Sequence, residues 1–128
     1  MPHFILEYTD NIKDEANIPD LLKKINQVLI SRSDIFPIGG IRSRAIELKH
    51  YFVADGTEND AFVHGTLKIG AGRSDEDKKA VCDEIFAVIK DHFSELYEKR
   101  YLALSLELYE FSKFGTYKHN NIHKRYKK

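Results

Sequence analysis

Ala61-Phe62-Val63-His64-Gly65-Thr66-Leu67-Lys68-Ile69-Gly70-Ala71-Gly72-Arg73-Ser74 is the stretch on which the fold turns. Residues 61–69 read as a strand, and Gly70-Ala71-Gly72 breaks it. Ser74 and Asp77 resemble a capping box in which Asp replaces the usual Glu, so a helix begins here. Val81, Ile85, Val88, Ile89, His92, Phe93, Leu96 and Tyr97 mark its apolar face. No Gly or Pro interrupts residues 74–101, which predicts one long helix. Residues 102–111 follow as a strand, with Leu104, Leu106 and Leu108 on one face.

The first half of the chain has the same order. Phe4, Leu6 and Tyr8 alternate with Ile5 and Glu7 in a strand, and a polar connection covers residues 9–17. Asn17 is a candidate N-cap, and Pro19 suits the first helical turn. Leu21, Leu22, Ile25, Val28 and Leu29 recur at helical spacing. The turn Phe36-Pro37-Ile38-Gly39-Gly40 leads to a strand over residues 41–48, which Tyr51-Phe52-Val53 extends or accompanies as a short neighbour. Asp55-Gly56 is a turn signal.

The chain therefore reads as one α/β (α+β) domain over residues 1–128, built as a duplicated βαβ. The first unit covers residues 1–56, the second 57–112, and 113–128 form a basic C-terminal extension. Right-handed crossovers place both helices on one face of a four-stranded sheet. The other face, with His3, Ile5, Phe62 or Val63 and the neighbours of Leu102-Ala103, is expected to be too apolar for water. A partner subunit is its simplest cover.

Composition narrows the class. Apolar residues make up 42% and charged residues 31%, an ordinary soluble globular mix. The apolar runs are too short to span a bilayer, and no signal-peptide pattern opens the chain. The single cysteine, Cys82, has no internal disulfide partner, which fits a reducing cytoplasm; its apolar helical setting suits a packed thiol rather than a reactive one. Net charge is zero but unevenly spread. The first 112 residues carry 14 basic and 20 acidic residues, whereas residues 113–128 carry six basic and no acidic ones. Such a tail can bind nucleic acid or pair with the acidic body, and pairing with the body is the expected outcome.

Pro2 is the leading candidate for chemistry. Loss of Met1 would make it a secondary amine held on the first residue of a strand. Burial and nearby cations lower the pKa of such an amine until it becomes a usable base near neutral pH. The plain alternative is a proline tolerated at a strand start. Arg42 and Arg44 follow the Gly39-Gly40 turn and share a strand face, and Arg73 sits at a helix entrance. Together they form a candidate pocket for an anionic substrate, against the alternative of surface ion pairs. Gly70-Ala71-Gly72-Arg73-Ser74 lacks both the P-loop ending and the dinucleotide fingerprint. His119 and His123 have metal spacing only on a helix and lack a nearby Cys or carboxylate. His64 and His92 are expected to be packed or hydrogen-bonded, and Asp75, Glu76 and Asp77 to complement a helix dipole.

Several strings resemble one family. They are Pro2-His3-Phe4-Ile5, Ile35-Phe36-Pro37, Gly40-Ile41-Arg42-Ser43-Arg44, Lys68-Ile69-Gly70-Ala71-Gly72-Arg73-Ser74, Ala103-Leu104-Ser105 and Asn120-Asn121-Ile122-His123. Over nearly the whole chain the sequence is similar to the 5-carboxymethyl-2-hydroxymuconate isomerases of the tautomerase superfamily. The resemblance implies a homotrimer with sheets facing inward, a catalytic amino-terminal proline at Pro2, and no cofactor or metal. It implies ketonisation of a small polycarboxylate enol in the breakdown of homoprotocatechuate. Arg42 and Arg73 would then bind carboxylates or the developing oxyanion, with Arg44 a further substrate-binding candidate or an ion-pair partner at the subunit interface. Two other readings stand beside it. One is a tautomerase-fold enzyme acting on another enol such as phenylpyruvate. The other is a small binding module using its tail on nucleic acid, against which stands the lack of interleaved aromatic and basic residues on a strand. The isomerase reading involves no nucleic acid and no membrane.

Overall fold

The structure, a computed structural model, describes residues 1–126. Strand β1 (His3–Thr9) leads through a short turn of helix at Asp10–Ile12 to α1 (Ile18–Ile30) and then β2 (Arg42–Leu48). Strand β3 (Ala61–Gly70), α2 (Asp75–His92), α3 (Ser94–Lys99) and β4 (Leu102–Phe111) repeat the order. The sheet runs β2-β1-β3-β4. The pairs β1–β2 and β3–β4 are parallel, and the two halves meet antiparallel along β1 and β3. This is the four-stranded duplicated βαβ expected from the two matched halves.

Both helices bury one stripe at the same spacing. Leu21, Ile25 and Leu29 of α1 and Val81, Ile85 and Ile89 of α2 are fully buried, one turn apart in each case. They form a single core with Phe4 and Leu6 of β1 and Val63, Leu67 and Ile69 of β3, so both helices lie on one side of the sheet. Each such side chain contributes about 1.5–3 kcal/mol relative to exposure. The Ser74 hydroxyl caps α2 by accepting from the Asp77 amide at 3.1 Å. Asn17 stands at the start of α1 with φ 43° and ψ 59°, a left-handed residue without a side-chain cap bond.

Three expectations are corrected. The long second helix breaks at Phe93, where φ is −100° and ψ 12°. There the His92 ring donates from Nε2 to the Ala16 carbonyl at 2.6 Å, and Phe93 turns its ring into the core. Residues 51–53 form no strand; Tyr51 instead donates to Asp10 Oδ1 at 2.7 Å and packs edge-on to Phe62. The sheet face away from the helices is also not simply apolar. Odd residues of β3 face the helices, so Val63 is core, and Leu102 joins it. The opposite face carries polar pairs: Arg44 Nη1 lies 3.1 Å from His3 Nδ1, and His64 bonds Ser105 Oγ at 2.7 Å and Glu107 at 2.9 Å. Ile5 and Phe62 lie among them, half-buried.

Candidate active site

The site is built around the start of β1. Parallel pairing with β2 continues one residue beyond the strand, because the Arg42 amide donates to the Pro2 carbonyl at 3.1 Å. That bond fixes Pro2, which is buried, against the Ile38–Gly40 turn. Met1 packs on the same turn: a Cβ added at Gly40 would stand 3.3 Å from the Met1 Cα. Met1 also lines a cleft of about 580 Å³ together with Ile35, the Gly70–Arg73 turn, Phe111, Lys113, Thr116 and Lys118. The Pro2 nitrogen is bonded to Met1 and so adjoins a residue that lines the cleft.

Arg73 enters from the β3–α2 turn. Gly72 adopts φ +114°, a conformation L residues avoid, and this reverses the chain so that Arg73 points back under the site. Its guanidinium donates from Nη1 to the Gly70 carbonyl at 2.9 Å and from Nη2 to the Ile35 carbonyl at 2.8 Å. It also stacks 4.7 Å from the centre of the Phe36 ring. Arg73 is thus both a cation at the cleft and a clasp joining two loops. Arg42 donates to the Gly40 carbonyl at 3.2 Å, keeping its charge beside the same turn.

The cations act on the amino terminus. The α-amine of Met1 is lowered from 8.0 to about 6, first by burial and then by Lys118, Arg73 and Arg42. An amine in this environment is mostly unprotonated at neutral pH and can accept a proton. Burial also pushes the Arg73 guanidinium down, and burial with Arg44 and Arg42 lowers His3.

Of the residues singled out in the sequence, Pro2, Arg42 and Arg73 converge on one place. Arg44 does not join them within the subunit; it lies beside His3 on the open face of the sheet. The C-terminal extension was the part sequence reasoning missed. It does not pair with the acidic body: among the described residues, none of its lysines or arginines forms an ion pair with a carboxylate. It folds back across the Ile38–Gly40 turn instead. Asn120 Nδ2 donates to the Gly39 carbonyl at 2.9 Å, and His123 packs so closely on Gly39 that an added Cβ would lie 2.7 Å from its Nδ1. Lys118 and Lys113 are carried to the cleft in this way. The usable signals were the Gly39-Gly40 pair, which permits the approach, and a run of cations without acids.

The relatives of this chain define an isomerase. Residues 2–126 match the family described as CHMI, 5-carboxymethyl-2-hydroxymuconate isomerase, and the chain belongs to that family. It is 46% identical over 127 residues to the 5-carboxymethyl-2-hydroxymuconate Delta-isomerase of Escherichia coli, covering 99% of this chain and 100% of that protein. The crystal structure of a 5-carboxymethyl-2-hydroxymuconate isomerase from Deinococcus radiodurans R1 is 57% identical with a TM-score of 0.96, covering 99% of this chain and 95% of that one. A more distant likeness in fold is a fused 4-OT protein solved as a symmetric trimer, with 15% identity, a TM-score of 0.62 and 89% of each chain covered. Among the described residues no helix is long and apolar enough to cross a membrane.

Proposed function

We propose that this chain, once Met1 is removed, is a cytoplasmic, cofactor-independent isomerase that ketonises 5-carboxymethyl-2-hydroxymuconate in aromatic catabolism. The Pro2 nitrogen takes the proton of the 2-hydroxyl group. The resulting dienolate spreads its negative charge over oxygen and the conjugated chain. Protonated Pro2 then returns the proton to carbon, so the double bonds shift and no other reactant is consumed. Arg42 holds a carboxylate or the developing 2-oxyanion, and Arg73 holds negative charge at the other wall. Fixed cations aimed at developing charge are usually the largest catalytic contribution.

One observation carries the reading: the Met1 α-amine, one residue from the Pro2 nitrogen, is half-buried among Lys118, Arg73 and Arg42, and its pKa falls to about 6, so an amine at this end of β1 is held toward its basic form. Membership of the family and the two close relatives support the substrate class. We further propose a homotrimer built on the open sheet face. The polar pairs His3–Arg44 and His64–Glu107 would meet a partner there, and Arg44 would act at the subunit boundary.

The test compares 5-carboxymethyl-2-hydroxymuconate with phenylpyruvate, using protein shown by mass to lack Met1. A kcat/KM at least tenfold higher for the muconate is expected. Equal or greater turnover of phenylpyruvate, or none of the muconate, overturns the substrate assignment.

A further inference from the structure

The cleft beside Met1 is lined by Arg73, Lys113 and Lys118 and by no acidic side chain. Two independent contacts hold the lysines there. Upstream, Thr116 Oγ1 donates to the Ser112 carbonyl at 2.6 Å, and the Phe114 amide donates to Ser112 Oγ at 3.2 Å, closing a tight turn that lays Lys113 Nζ over Gly72. Downstream, Asn120 is tied to the Gly39 carbonyl, and its Oδ1 accepts from the Ile122 amide at 2.8 Å. Lys118 lies between these two anchors. Neither lysine has a carboxylate partner among the described residues. A segment folded so that its cations face a cleft without counter-ions is built to receive an anion.

Arg73 leaves room for that role. Both of its terminal nitrogens already donate to backbone carbonyls, and its Nε is buried without a partner. It therefore offers a carboxylate fewer donors than a free guanidinium, one N–H remaining on each terminal nitrogen, alongside its charge. Lysine ammonium groups on flexible stems can reach over the cleft and close on a carboxylate as it arrives.

We propose that Lys113 and Lys118 form a carboxylate subsite that selects substrates bearing the extra carboxymethyl group. The proposal deepens the isomerase reading and rests on it for the identity of the substrate. A 2-hydroxymuconate has two carboxylates, and the carboxymethyl substituent adds a third. Arg42 and Arg73 answer two of the three charges, and the lysine pair answers the one that distinguishes the substrates. The C-terminal extension is in this view a specificity element.

The experiment uses Lys113→Gln, Lys118→Gln, the double variant and Lys113→Arg, all Met1-free. The ratio of kcat/KM for 5-carboxymethyl-2-hydroxymuconate to that for 2-hydroxymuconate is measured in each. A charge-assisted bond to a carboxylate corresponds to about tenfold or more in affinity. The ratio is therefore expected to fall at least tenfold in the double variant, chiefly through KM for the tricarboxylate, and to be largely retained in Lys113→Arg. Lys118 also acts on the charge of the amino terminus, but a change there affects both substrates alike and cancels in the ratio. An unchanged ratio overturns the proposal, as does equal loss on both substrates. If the wild-type protein turns over neither muconate, the isomerase reading fails separately. Calorimetry with tricarballylate, a saturated tricarboxylate, then decides the subsite: binding weakened at least tenfold in the double variant supports it, and equal binding or none in the wild type refutes it.

Discussion

Retention or removal of Met1 is the sharpest perturbation of this site. While Met1 is attached, the Pro2 nitrogen is an amide whose lone pair is delocalised into the carbonyl, and it has no useful basicity. The retained form is nevertheless not without a base. Its Met1 α-amine sits in the same field of cations and has a pKa of about 6. That base is in the wrong place. One residue displaces it by about 3.8 Å along the chain, and a misplacement of only ~1 Å can cost on the order of a hundredfold in rate. Met1 also lines the cleft in which we propose that the enol sits. We therefore expect kcat/KM at least ~100-fold lower in the Met1-bearing form, or roughly 2.7 kcal/mol of lost transition-state stabilisation. The assay follows loss of the conjugated enol by ultraviolet absorption, with each form homogeneous by intact mass. The pH profiles separate the two bases. A base acts when unprotonated, so the rate rises with pH through its pKa. Any residual activity of the Met1 form should rise near pH 6, whereas the more basic proline amine should give a rise at higher pH. Turnover within threefold between the two forms would remove Pro2 from the mechanism.

The two arginines should differ in kind. Arg42→Ala removes a single, part-buried bond to the Gly40 carbonyl, so a rate loss of about a hundredfold is expected with little change in melting temperature. Arg73→Ala strips two charge-assisted bonds and the Phe36 stack, so about 2–4 kcal/mol of stability should go with the rate. At roughly 4 °C per kcal/mol that is a fall of about 8–16 °C; scanning calorimetry showing no fall would deny the clasp. Gly39→Ala places a Cβ 2.8 Å from the His123 backbone, so the tail must lift. Activity should drop although Pro2, Arg42 and Arg73 are untouched, and an active variant with normal KM would sever the tail from the site. Sedimentation should give a trimer that loosens when His64 is replaced by Ala, and a stable monomer at dilute concentration would exclude the sheet-face assembly.

What the sequence made legible, and what it did not, divides by the range of the interactions. Leu21, Ile25 and Leu29, and Val81, Ile85 and Ile89, announce their helices because a 3.6-residue period is a property of neighbouring positions. Gly70-Ala71-Gly72 and the Ser74 cap announce the turn between β3 and α2 for the same reason. The break at Phe93 was hidden because the contact made beside it, the bond from His92 to Ala16, joins residues 76 positions apart. The character of the open sheet face was misread through a one-residue ambiguity: whether Val63 or Phe62 faces the helices reverses every assignment along β3. The same logic explains the site. Pro2, Arg42 and Arg73 could be named singly, because a terminal proline and arginines beside glycine turns are local features. That Lys118 should lie among them depends on Asn120 reaching Gly39, 81 residues away. Six basic residues without an acid signalled a need for anions but not their address. Only the fold-back shows that the tail's charge and the lowered pKa of the Met1 amine belong to the same arrangement: after burial, Lys118, Arg73 and Arg42 hold that amine down.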